Sequence, residues 1–448
     1  MSSPQRLVLS RGFQLLLVLL PFLILSGFDH VWSGGGGNGN WTNGANWTTP
    51  TPPDAAETHP INITFPALTP TPNPLNQDIV DITLDSLTFD GHAYILGGLP
   101  FQMKGPIVVG PLSIFDDHIV NVSIDLAADL SATVTGPNAG LIFNGPIGGA
   151  FNAVTGGQGF TVFGAANTYT GTTTIQSGTL ILSNPDGFGA SPGGNVLLFG
   201  SLWLSGIPVN PQKTILLEPG GTIDGKSGAS SIGTLNVPGS GPANIILAPG
   251  ATLDIQHLNG PGPLNVSGGV FSVSSDSTYS GTITVASGTT IRVNGPLPSA
   301  TIVLNGSTLG GTASIGTVDA FGGTIGPGNS PGILSATDVT FHDPGPNTFQ
   351  AELNGTTAGT EYDQLAVSGT VALGTATTLS LTRTFTYAMN DTLDIITASA
   401  ITGTFVGLPD NTTFNVSGQM FRINYLQGVV RLTATSATPV TLQEFTAE

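Results

Sequence analysis

The chain contains no cysteine, which removes disulfides, thiol nucleophiles and thiolate metal sites at once. Cations are scarce: nine Lys and Arg stand against 27 Asp and Glu in 448 residues. Two of the nine, Arg6 and Arg11, lie near the N-terminus, so downstream of residue 27 seven cations face 27 acids, a net of −20. Such a surface repels phosphate backbones and excludes nucleic acid as a partner. Acidic polysaccharides and anionic lipid surfaces are poor partners for the same reason. Long apolar runs are also missing. The run Leu15 to Leu25 has eleven residues, well short of the ~20 that span a bilayer, so no membrane span is expected after signal removal. No segment sustains a capped helical apolar period, so almost no helix is expected.

What is present is glycine and short alternating strands. Gly accounts for 63 residues, about twice the usual ~7%. The apolar fraction of 39% is enough to bury a core, which separates the chain from disordered Gly-rich sequences. Thr168–Leu180 (TYTGTTTIQSGTL) and Thr278–Thr290 (TYSGTITVASGTT) share eight of thirteen positions at an offset of 110 residues. Every shared residue is Thr, Tyr, Gly or Ser, so the repeat encodes strand and turn, not a general base or metal ligand. A second echo, Leu216–Asp224 against Ile246–Asp254, has an offset of 30. Repeated strand–Gly-turn–strand units specify a stackable β-coil, with inward Ile, Val, Leu and Phe and outward Thr and Ser. A β-sandwich array would need ~100-residue units, which the short echo argues against.

The ends differ from the middle. Residues 1–27 carry a secretory signal, with Arg6 and Arg11 before Leu15–Leu25. Retention as an uncleaved anchor is the alternative. Residues 28–76 form a Trp/Gly/Pro-rich N-terminal cap and linker. Trp32, Trp41 and Trp47 are read as an aromatic plug over the open end of the repeats, or alternatively as a sugar-stacking platform. The proline-rich residues 48–76 are read as an extended crossing segment or linker. The β-solenoid repeats are expected over 77–345. Residues 346–448 then form a C-terminal β region, whose longer strands over 391–433 make antiparallel hairpins that cap the coil.

The Thr-Tyr-x-Gly-Thr-x-Thr-x-x-Ser-Gly-Thr unit resembles the autotransporter-associated β-strand repeat of secreted bacterial proteins. Phe321–Gly332 (FGGTIGPGNSPG), Glu361–Leu365 (EYDQL) and the Trp-rich N-terminus are similar to large repeat proteins of that kind. The resemblance implies a right-handed parallel β-helix displayed outside the cell or released, with no single activity and no catalytic residues to transfer. The membrane β-barrel that ends an autotransporter is not seen before Gln443–Glu448, so export through the general signal-peptide route is expected.

Parallel β-helices also include polysaccharide hydrolases and lyases. A lyase needs a base and cations for the acidic sugar, yet between residues 105 and 380 the cations are Lys213, Lys226 and Arg292. A hydrolase needs two spaced carboxylates. Asp116-Asp117-His118 is the tight acidic cluster, expected as a solvated turn. The six histidines (His30, His59, His92, His118, His257 and His342) are isolated and expected at surfaces or turns, and no metal site is assigned. Asp224 and Asp254, alike in the 30-residue echo, are the positions to hold calcium at rung corners should any bind. The sequons at Asn46, Asn62, Asn121 and Asn265 are expected by chance in a Thr-rich chain. No catalytic, cofactor or metal residues are therefore assigned, and no enzyme activity is expected. The reading is a secreted or cell-surface structural, adhesin-like β-helix whose partners are surface glycans or other envelope proteins. A carbohydrate-active β-helix and a protein that assembles through its ends are the alternatives.

Overall fold

In the strands Ile61–Phe65, Ser201–Ser205 and Thr282–Val285, every second side chain is buried and the residue between is not. That alternation runs through nearly every strand, as expected where one face of a sheet meets a core and the other meets solvent. The computed structural model describes residues 28–67, 74–113 and 115–435; residues 1–27, read from sequence as a secretory signal, lie outside them. The strands build a β-solenoid. Helix among the described residues amounts to one 3-10 turn, Gly44–Asn46.

Three parallel ladders run along the coil. The first begins with Phe28–Val31, Ile61–Phe65, Ser86–Phe89 and Ile107–Val109 and continues through Thr214–Leu217. The second runs from Leu75–Gln77 and Ile95–Gly98 through Asp117–Val120, Gly140–Phe143 and onward to Ile333–Phe341. The third starts with Thr83–Leu84, Phe101–Met103, Ile124–Leu126 and Ile147–Gly149. It is carried by looser rungs at 168–170 and 188–190, where Thr170 N donates to Gly149 O and Ala190 N to Tyr169 O. Regular pairing resumes with Ala229–Asn236, Thr252–Asn259, Val270–Val273, Thr290–Val293 and Thr308–Gly310. Long strands turn a corner within themselves: Ser230 pairs with Leu253 on the third face, and Leu235 with Ile215 on the first.

Among the described residues, parallel pairing is already present at Phe28, before the expected start at residue 77. Residues 48–76 therefore contain two ladder strands, Ile61–Phe65 and Leu75–Gln77, where an extended crossing segment was expected. At the other end, Val371 still pairs in parallel with Ile401. The antiparallel part consists of Thr392–Thr397, Thr413–Val416, Gln419–Leu426 and Val429–Thr435, close to the hairpins expected from sequence.

Neither sequence repeat marks one full coil. Tyr169 leads into strand Thr173–Ile175 of the first ladder, whereas Tyr279 leads into Thr282–Val285 of the second. Thr214–Leu217 belongs to the first ladder and its echo Ala243–Leu247 to the second. Both echoes are displaced by one face, so the repeated unit is a strand and its turn, a third of a coil. Both tyrosines are fully buried, with Tyr169 Oη 2.6 Å from Thr173 Oγ1 and Tyr279 Oη donating to Gly262 O at 2.6 Å.

Trp32, Trp41 and Trp47 are buried at the N-terminal end and pack edge-on, with Trp32–Trp47 centroids 5.1 Å apart and Trp41–Trp47 centroids 6.0 Å apart. Their rings are covered, so they are not a sugar platform. Asn46 ties the Gly-rich loop to them: its Oδ1 accepts from Gly36 N at 2.7 Å and its Nδ2 donates to Asn38 O and Asn40 O. A buried side chain with all these bonds is a structural post and is closed to glycan attachment. Asn62, Asn121 and Asn265 each bond a side chain of the neighbouring rung.

Candidate functional site

The Asp116–His118 cluster is split by the strand it occupies. Asp117 faces solvent and His118 is wholly buried, as alternation along Asp117–Val120 requires. The expected solvated turn is thus corrected to a strand whose histidine belongs to the core. The ring stacks on Phe89 at 5.1 Å, Tyr94 N donates to Nδ1, and Nε2 lies 3.0 Å from Ser113 Oγ, which donates to Gly91 O. With Nδ1 accepting, Nε2 carries the proton and the ring is neutral. Burial lowers its pKa to about 4, against the opposing pull of Asp116. Burial and then the neighbouring Asp116 raise the Asp117 carboxyl. His118 cannot serve as a partner for Asp117 in chemistry at the surface.

Asp224 and Asp254 sit on different faces and do not line up into a calcium column. Asp224 pairs with Lys226, and Asp254 accepts from Ser272 Oγ at 2.7 Å and Ser274 Oγ at 2.8 Å. Among the described residues, no three His, Asp or Glu side chains converge as metal ligands would. His30, expected at a surface or turn, is buried, with Nε2 2.9 Å from Glu57 Oε2.

A polar trough on the third face gathers residues scattered through the last third of the repeats. Strand Thr290–Val293 places Arg292 outward, Thr308–Gly310 follows with Gly310 beside it, and Gly326 and Gln350 continue the same outward column. The walls are Arg292 at one end, Gln350 and Glu352 at the other, and the loop at 327–330 along one side. The trough is open to solvent along its length and has a cavity volume of about 220 Å³.

The two motifs of the autotransporter-type resemblance meet here. Asp363 of the EYDQL stretch accepts Gly332 N at 2.7 Å and Glu352 N at 2.8 Å, and Gln364 N donates to Gly332 O. Glu352 Oε2 accepts from Ser330 Oγ at 2.7 Å. Asp363 is buried, and that burial raises its carboxyl to about 6 in spite of the two amide donors. Ser330 has φ +96°, a region that non-glycine residues occupy only when their surroundings impose it. The Asp363 clamp and the Glu352 acceptor supply that imposition.

Of the three cations noted between residues 105 and 380, two are committed to the fold. Lys213 is buried with Nζ 3.3 Å from Gly194 O, and Lys226 lies 4.1 Å from the Trp203 ring centroid beside Asp224. Arg292 is exposed and, among the described residues, without a hydrogen-bond or ion-pair partner. Nothing in the linear sequence joins Arg292, Glu352 and Asp363; only the stacking register does. The chain matches no family model and no curated protein sequence.

Proposed function

We propose that this chain is a secreted or cell-surface structural β-helix, acting as an adhesin-like scaffold that presents weak, repeated contacts to surface glycans or envelope proteins. The observation that carries the proposal is the continuous parallel stacking from Phe28 to Thr402 around one core. Such a coil holds outward side chains at a fixed spacing of ~4.8 Å per rung, which suits multivalent contact. On the third face Thr290, Thr308, Thr324, Thr348 and Thr378 form one such row. The signal-like segment with Arg6, Arg11 and Leu15–Leu25 supports export, and the repeat resemblance supports a bacterial extracellular setting.

The test is to express the full chain in a bacterial host, treat intact cells with and without protease, and then fractionate them. Recovery in the surface or medium fraction, together with increased attachment to glycan-coated surfaces, is the expected result. A chain retained in the cytoplasm, or one that leaves attachment unchanged, would overturn the proposal.

A further inference from the structure

We propose that the trough between Arg292 and Glu352 is a binding subsite for a neutral, polyhydroxylated ligand, a single sugar ring of a glycan chain. Gly310 ends strand Thr308–Gly310 opposite Arg292, and Gly326 directly follows strand Thr324–Ile325 with its N–H donating to Leu309 O, in an outward column where Thr or Val would ordinarily add cross-strand packing. Neither has a left-handed φ. A Cβ at Gly310 would meet only Gly326 O at 3.4 Å and Gly328 O at 3.6 Å, and one at Gly326 would meet only Gln350 atoms near 3.8 Å. Backbone conformation and crowding therefore do not demand glycine at either position. What the two glycines do is leave bare peptide as a floor between flanking side chains.

The lining alternates donors and acceptors. Arg292 offers a guanidinium and Gln350 an amide, both without partners among the described residues. Glu352 keeps Oε1 available, since Ser330 and Asp363 fix only Oε2 and the backbone N–H. Hydroxyl groups both donate and accept, so vicinal hydroxyls match a guanidinium at one end and a carboxylate at the other. The net charge of −18 opposes an anionic ligand, and a single guanidinium does not offset it. A cavity of about 220 Å³ lies below the usual ~300–1,000 Å³ of a small-molecule pocket and suits one ring.

The test uses the purified full chain and a panel of neutral hexasaccharides (β-1,4-glucan, β-1,3-glucan, α-1,4-glucan, β-1,4-mannan and β-1,4-galactan), with hexagalacturonate as the acidic probe. Binding is read by calorimetry and ligand-observed NMR. One neutral probe should bind saturably and with little dependence on salt. Gly310→Thr, which fills the floor with a residue suited to a strand, should weaken that binding at least about tenfold without lowering the unfolding midpoint. Glu352→Gln and Arg292→Gln should weaken it to a similar degree. Absence of binding by every neutral probe, undiminished binding to Gly310→Thr, or tighter binding of hexagalacturonate would each overturn the proposal. Surface display can fail while this binding survives, and the reverse, so the two proposals are tested separately.

Discussion

His118 enters the core as a neutral ring held at both nitrogens, and its titration is coupled to folding. Its ordinary pKa of 6.5 falls to about 4 in the fold, so the unfolded chain binds the proton more strongly between those values. The stability it contributes is complete above about pH 6.5 and is lost as pH falls through about 4, amounting to as much as ~3 kcal/mol. Denaturant midpoints measured from pH 7 to pH 4 should fall for the native protein and fall less for His118→Leu. Equal slopes would remove His118 as the cause. Asp363 answers a different local need, because two backbone amides 11 and 31 residues away end on its carboxylate. Asp363→Ala strands both and should cost about 2 kcal/mol or more, seen as a lower unfolding midpoint. A midpoint within error of the native value would mean that water satisfies those amides.

At the scale of strands and turns, neighbouring glycines have opposite roles. Gly311 has φ +117°, and a Cβ there would collide with Val293 O. Gly310, one residue earlier, is extended with room outside. Gly311→Ala should therefore cost about 1–3 kcal/mol, whereas Gly310→Ala should be neutral or raise stability by about 0.4–1 kcal/mol. Thermal unfolding of the pair decides this, and equal losses would contradict the contrast. The same two residues show what the sequence reveals. Alternation made strands and inward rows legible where it held, as in Ser86–Phe89, but the longer run Ile79–Phe89 hides a turn at Val80–Asp81 and a change of phase between Leu84 and Leu87. Which strand lies above which was not legible, because coil length varies: Leu87 stacks on Ile63, 24 residues back, and Leu309 on Ile291, 18 back. The trough needs that missing register. Arg292, Gly310, Gly326 and Glu352 have nothing in common until stacking brings them together. His118 was misplaced for a related reason, since a turn and a strand start look alike beside two aspartates.

The whole molecule is a single stack carrying strong negative charge, and two properties belong to it as a unit. Self-repulsion among acids spread along the coil is long-ranged at low ionic strength, where the screening length exceeds the ~10 Å found at 0.1 M. Raising salt from a few millimolar to ~0.1 M should raise the unfolding temperature, and a fall would show that attractive pairs dominate. The buried tryptophans close the N-terminal end of the core, so Trp41→Ala should cost about 3–5 kcal/mol by opening the first rung. Calorimetry would register it as a lower transition temperature or a separate early transition. The one-face displacement of the echoes reaches further. Sides that accept each other's strands are interchangeable, so gaining or losing one strand and turn turns everything beyond it by a third of a revolution while the interior stays filled. Lineages of such chains can lengthen in small steps and re-aim an exposed feature toward a new neighbour, a change of heading that a sandwich or barrel could achieve only by rebuilding its core.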